Sequence, residues 1–162
     1  MSDYLMQMRE AFKVEASEIL TGLEASLLEL EKDSNNIDAV SAIFRSFHTL
    51  KGSGGMCGFD DISEFTHEIE TVYDLVRNWK IEADKALIDL TLSACDQISD
   101  MMNAENLSRQ AVENRTADIL VMFRKLIPQE RKTPRLLKQS GLAEEIFGEE
   151  DAWEKKIVYR IR

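Results

Sequence analysis

Proline is almost missing from this chain: there are two in 162 residues, and the first is Pro128. The strongest helix breaker is therefore absent from residues 1–127. Cysteine is equally scarce. Cys57 and Cys95 are too few for a disulfide framework, and neither has a CxxC partner. They read as small buried apolar residues in a reducing cytoplasm. No apolar run approaches the roughly 18–20 residues that a bilayer span requires. The opening run, Met1 to Met8, lacks the basic segment and apolar core of a signal peptide. The expectation is a cytoplasmic chain with no membrane insertion. Positive charge is in the minority, with 20 Lys and Arg against 30 Asp and Glu and a net charge of −10. Nucleic acid is disfavoured, because neutralising phosphates takes clustered cations. The excess acid reads as solvated helix faces. With 44% hydrophobic and 31% charged residues, the composition is that of an ordinary globular protein.

What is present is helical periodicity. Leu5, Met8, Phe12, Ile19, Leu23, Leu27 and Leu30 recur at helical spacing, as one apolar stripe on a long first helix. Ser2 or Asp3 can cap it, and Asp33-Ser-Asn-Asn36 ends it. Val40, Ile43, Phe44, Phe47 and Leu50 mark a second helix reaching about Gly55, capped by Asn35, Asn36 or Asp38. Asp60 or Asp61 opens a third, with Ile62, Phe65, Ile69, Val72, Tyr73 and Val76 facing inward. Ala86, Leu87, Leu90, Ala94, Ile98 and Met101 mark a fourth. Val112, Ile119, Leu120, Phe123 and Leu126 mark a fifth, capped by Asn106 or Ser108. Short polar connections between long helices predict antiparallel neighbours. The expected fold is all-α: an up-and-down antiparallel four-helix bundle with a fifth C-terminal helix, then a mostly irregular tail. The bundle spans 1–127. Residues 128–152 read as a linker in which Leu136 to Phe147 can form a short helix or a docking segment. Residues 153–162, where Ile157, Tyr159 and Ile161 alternate, read as a truncated strand at the start of a following domain, since a lone strand is not stable.

Glycine is the anomaly. The second helix carries Gly52, Gly54 and Gly55, with Gly58 at the turn beyond it, although an interior glycine costs about 0.8–1 kcal/mol relative to alanine. They surround His48, one of two histidines in the chain. His48 lies about a right angle from the apolar centre at Phe44 and Phe47, on the boundary between core and solvent. Lys51 at i+3 and Gly52 at i+4 are its surface neighbours, and Gly55 at i+7 continues the line. Gly52 and Gly55 thus read as clearance for a bulky partner. The third helix offers His67 and Glu70 at i, i+3. If the two helices pack antiparallel through Gly58, Glu70 can face His48.

A carboxylate on one ring nitrogen fixes the tautomer and makes the other nitrogen the nucleophile. Lys51 can then offset charge on a phosphoryl group. Singly, each residue has a plainer reading: a structural histidine, a solvated lysine, an exposed His–Glu pair, a loose helix end. The combination favours chemistry. A zinc site of His48, His67 and Glu70 is disfavoured because Lys51 would repel the cation, so no metal is expected. A helical adaptor bundle with no chemistry is the competing reading.

The run from Ile43 to Phe59, Ile-Phe-Arg-Ser-Phe-His-Thr-Leu-Lys-Gly-Ser-Gly-Gly-Met-Cys-Gly-Phe, resembles the phospho-accepting helix of histidine phosphotransfer domains. It is most like the amino-terminal domain of chemotaxis histidine kinases (the CheA family). Phe65 to Arg77 resembles that family's next helix, and the likeness covers about residues 4–127. The resemblance implies that His48 is phosphorylated and that Lys51, His67 and Glu70 complete its hydrogen-bonding network. It implies a kinase catalytic domain elsewhere, usually on a partner subunit, that uses ATP in trans. An aspartate of a response-regulator receiver domain would then take the phosphoryl group. The chain has no asparagine- and glycine-rich nucleotide boxes, so neither a bound cofactor nor autonomous enzyme activity is expected, and the fragment is expected to be monomeric. One position departs from the pattern. Trp79 stands where relatives commonly have glycine, so Asn78 can take the left-handed conformation instead. That leaves Trp79 an exposed or half-buried aromatic that either packs against the bundle, the favoured reading, or marks a contact surface.

Overall fold

A computed structural model describes residues 2–104 and 108–128. The expectations for residues 129–162, and for Asn106 as a cap, lie outside the described residues. Among the described residues there are five helices and no strand, and no helix is long and apolar enough to cross a membrane.

Helix α1 (Asp3–Lys32) starts at Ser2, whose Oγ accepts from the Leu5 N–H at 3.4 Å. Its stripe of Phe12, Ala16, Leu20, Leu23, Leu27 and Leu30 is buried. At about 1.5 Å per residue, its 30 residues outreach the 18 to 20 of the other helices. Leu5 and Met8, expected in the stripe, are accordingly only partly covered. Helix α2 (Ile37–Met56) is capped by Asn36, whose Oδ1 accepts from the Ala39 N–H at 3.0 Å. Helix α3 (Asp60–Arg77) has no side-chain cap, but Asp60 and Asp61 place negative charge at its positive end. Helix α4 (Lys85–Met102) is capped by Asp84 on the Leu87 N–H at 2.8 Å. Helix α5 (Arg109–Leu126) follows Ser108, whose side chain makes no capping bond.

The connections at 33–36, 57–59 and 78–84 are short, so successive helices run antiparallel. α1 packs on α2 and α4, α2 on α3, and α5 against both α3 and α4. Phe12, Phe47, Phe65, Tyr73 and Phe123 are fully buried in one continuous core. Burying each such side chain contributes about 1.5–3 kcal/mol. Ile119 and Phe123 seat α5, and ion pairs Arg124–Glu68 and Arg115–Asp100, each at 3.0 Å, tie it to α3 and α4.

Two expectations within the core need correcting. Ala86 is exposed, while the α4 interface contains Thr91 and Gln97 with no solvent contact. Both polar side chains are bonded. Thr91 Oγ1 donates to the Leu87 carbonyl at 2.7 Å, so it accepts from the Tyr73 hydroxyl at 2.8 Å. The Gln97 amide donates to the Val112 carbonyl at 2.9 Å and to Thr116 Oγ1 at 2.8 Å, joining α4 to α5. Of the two cysteines, Cys95 is buried and burial pushes its thiol up to about 12, whereas Cys57 at the end of α2 is only partly covered.

The C-terminal ends of α2 and α3 use the same device with different residues. At the α2–α3 turn, Gly58 has φ +74, and the Phe59 N–H reaches back to the Gly54 carbonyl at 2.8 Å. Arg9 fastens this turn to α1, donating to the Gly58 carbonyl at 2.8 Å with its guanidinium 3.8 Å over the Phe59 ring. At the far end the left-handed residue is Trp79 itself, at φ 60, and not Asn78, at φ −91. The N–H of Lys80 bonds the Leu75 carbonyl at 2.9 Å and that of Trp79 bonds Val76 at 3.0 Å. This Schellman pattern requires a positive φ one residue past the cap, and that residue is Trp79. Its side chain is half-buried, 46% exposed, which fits either of the two readings of its role.

Candidate functional site

The site lies on the surface where α2 and α3 run side by side, and close approach at their joined end sets its register. Gly54 is buried there; a Cβ on it would lie 3.5 Å from Phe12 Cζ and from the Phe59 carbonyl. One turn along, Ser63 Oγ donates to the Lys51 carbonyl at 2.9 Å. This register brings Glu70, on α3, opposite His48 on α2.

Glu70 is the hub. Its Oε1 lies 2.7 Å from His48 Nδ1 and its Oε2 lies 2.6 Å from Lys51 Nζ. The carboxylate side chain is 11% exposed, whereas the His48 ring is 63% exposed. Burial acts to raise the Glu70 pKa, but the hydrogen bonds from Lys51 and then His48 outweigh it and hold the group below its ordinary value. Glu70 is therefore an anion at neutral pH. An ionised carboxylate only accepts hydrogen bonds, so the Nδ1 proton belongs to His48, and in the neutral ring the lone pair is on Nε2.

The other sequence candidates fall around this pair. Lys51 is held against Glu70 with its side chain 28% exposed. His67 Nδ1 is 3.8 Å from Glu70 Oε2, outside hydrogen-bond reach, and its side chain is 64% exposed; the hydrogen-bonded set is His48, Glu70 and Lys51. At Gly52 an added Cβ would meet nothing within 4 Å, so the surface beside the imidazole is open. Gly55 is exposed too, but a Cβ there would come 3.3 Å from Ser63 Oγ. Its more immediate duty is to let α3 approach. Among the described residues no group of three His, Cys, Asp or Glu is placed to hold a metal ion, and the Lys51 ammonium occupies the free oxygen of Glu70.

Two further neighbours surround the imidazole. Phe44, read as core, is only partly buried, and its ring stacks on His48 at 6.2 Å between centroids and 15° between planes. Arg77 sets its guanidinium carbon 4.0 Å over the Phe44 ring and bonds Asp74 Oδ1 at 2.7 Å. The signal was there in the spacing: Phe44 is four residues before His48, and Arg77 is seven after Glu70, two turns along the facing helix.

The Hpt domain family matches residues 7–112. A chemotaxis protein CheA of Borreliella burgdorferi is 41% identical over 91 residues, 56% of this chain and 10% of that protein. One of Treponema pallidum is 33% identical over 138 residues, 83% of this chain and 17% of that protein. The chain thus spans less than a fifth of the length of these curated relatives. Among solved structures, the CheA phosphotransferase domain from Thermotoga maritima superposes with a TM-score of 0.60 at 31% identity, covering 64% of this chain and 97% of that one. The phosphorylated P1 domain of CheA3 in complex with CheY6 from R. sphaeroides has the same fold, with a TM-score of 0.63 at 22% identity over 74% of this chain and 98% of that one.

Proposed function

Because the chain belongs to the Hpt domain family, we propose that it is the phospho-accepting domain of a chemotaxis-type sensor kinase, with His48 as the phosphorylated residue. The observation that carries this reading is the Glu70 carboxylate on Nδ1 of a His48 side chain that is 63% exposed. The Nε2 lone pair attacks the γ-phosphorus of ATP held by a separate kinase domain. The N–P bond forms as the bond to the bridging oxygen breaks, and ADP leaves with that electron pair. The ring becomes cationic, and the Glu70 anion, still accepting the hydrogen bond from Nδ1–H, stabilises it. Lys51, drawn partly toward Glu70, is the nearest cation for the arriving phosphoryl oxygens. In the second step an aspartate carboxylate of a receiver domain attacks the phosphorus. The N–P bond breaks, and its electrons return to Nε2.

Relatives named as chemotaxis proteins support the pathway class. A neighbour of this fold, solved phosphorylated and in complex with CheY6, suits a receiver as the acceptor. We place the domain in the cytoplasm, where both partners would meet it, and assign it no ATP turnover of its own.

The test is labelling from γ-labelled ATP by a chemotaxis kinase domain, followed by transfer to a receiver. Wild type is expected to take label that His48→Gln does not. Equal labelling of both would overturn the assignment and leave the helical adaptor reading.

A further inference from the structure

A hydrogen bond from one ring nitrogen leaves an imidazole free to turn about that contact. Glu70 fixes where Nδ1 sits; it does not by itself fix the plane of the ring, or the direction of the Nε2 lone pair. The second constraint is Phe44, whose ring lies 15° from parallel with that of His48 at a centroid distance of 6.2 Å. That is within the range of offset-stacked aromatic pairs. Phe44 is in turn held from α3. The Arg77 guanidinium covers its ring at 4.0 Å, and Asp74 fixes the guanidinium at 2.7 Å. So α3 reaches His48 by two routes, directly through Glu70 and, two turns on, through Arg77 and the aromatic ring.

Resting on the assignment of His48 as phospho-acceptor, we propose that Phe44, clamped by Arg77, is a positioning residue that fixes the plane of the His48 ring for in-line attack on a phosphoryl group held by another protein. Positioning of this kind matters only when the donor is itself held. A small donor diffusing freely can approach the lone pair from whatever direction it faces. A γ-phosphoryl fixed in a kinase site cannot adjust, and misdirection of the nucleophile is costly there.

The experiment compares two donors on Phe44→Leu, Phe44→Tyr and Arg77→Met: phosphoramidate, and ATP with a kinase domain that labels the wild-type chain. With Phe44→Leu, labelling by phosphoramidate is expected to stay within about two-fold of wild type. The kinase-dependent kcat is expected to fall about ten-fold at unchanged KM. Phe44→Tyr keeps the ring and should restore the rate, and Arg77→Met should fall between. Loss with both donors would place Phe44 in the fold or in the reactivity of the nitrogen, and a rise in KM alone would make it a docking residue; either overturns the proposal. So would wild-type behaviour in Phe44→Leu. Labelling of His48→Gln would remove the phospho-acceptor assignment, whereas an unaffected Phe44→Leu beside an inert His48→Gln removes the positioning role alone.

Discussion

Glu70 is the residue on which the site turns, because its two oxygens answer two different groups, His48 and Lys51. Replacing it with Gln keeps the shape and removes the charge that the cationic ring needs. Phosphorylation of Glu70→Gln is expected to slow by roughly 10–100-fold with the helical circular dichroism unchanged, and labelling time courses will show this. The same residue leaves a mark on stability. Its folded-state pKa is held below the ordinary 4.5, so the unfolded chain binds its proton first as pH falls. The stabilisation is complete above about 4.5 and is lost as pH drops through the lower folded value. Urea midpoints of wild type and Glu70→Gln should keep a constant gap at neutral pH and converge in acid; a gap constant to pH 3 would contradict the ion-pair account. Gly52 offers a complementary test. Open space surrounds it, so Gly52→Ala should stabilise the helix by about 0.8–1 kcal/mol, measured by urea unfolding. His48 and Lys51 were legible from the chain because i+3 spacing fixes neighbours on a helix, and Glu70 because an antiparallel turn at Gly58 brings it opposite His48. The role of Phe44 was harder to read, because its i−4 spacing from His48 is also a core period, and an aromatic there is usually core; only the structure shows it partly exposed and stacked on the imidazole.

Helix positions and the caps Ser2 and Asn36 were legible because apolar stripes and capping residues are local signals; the cap Asp84 was not read from the sequence. The polar contacts inside the bundle were not, because a lone Thr or Gln within an apolar stripe looks the same whether it faces solvent or a partner. Thr91 shows what such a contact does. It has its own acceptor on α4 at Leu87 and receives the Tyr73 hydroxyl from α3. Removing the two ends of that bond should have unequal effects. Tyr73→Phe leaves Thr91 bonded to its own helix and should cost about 0.5–1.5 kcal/mol. Thr91→Val strands a phenol that has no solvent contact and should cost about 1–3 kcal/mol. Denaturant melts of the two variants check the order; equal costs would mean the hydroxyl finds another partner. The end of α3 poses the opposite case. A left-handed conformation costs a residue with a Cβ about 1–2 kcal/mol, and Trp79 adopts it while remaining half exposed. Trp79→Gly is expected to raise stability by up to about 1 kcal/mol after the entropy of glycine is deducted. A destabilised variant would show that the indole packs for more than its exposure suggests.

At the scale of the whole chain, composition narrowed the classes but could not say where the domain stops. Pro128 suggested the limit, since no helix passes easily into a proline, and the described bundle has its last helix ending at Leu126. The compact unit closes at Met1–Pro128. Every contact described for the site comes from α2 and α3, and the core beneath them is closed by α1, α4 and α5. A chain of residues 1–128 therefore already holds the buried side chains that stabilise the register of His48 against Glu70. It is expected to unfold in one cooperative transition at the same urea midpoint as residues 1–162, and to accept phosphate from phosphoramidate at the same rate. A lower midpoint with a normal rate would mean that residues 129–162 brace the bundle. A normal midpoint with a slower rate would mean that they act on the site, and the boundary drawn at Pro128 would then divide one functional unit.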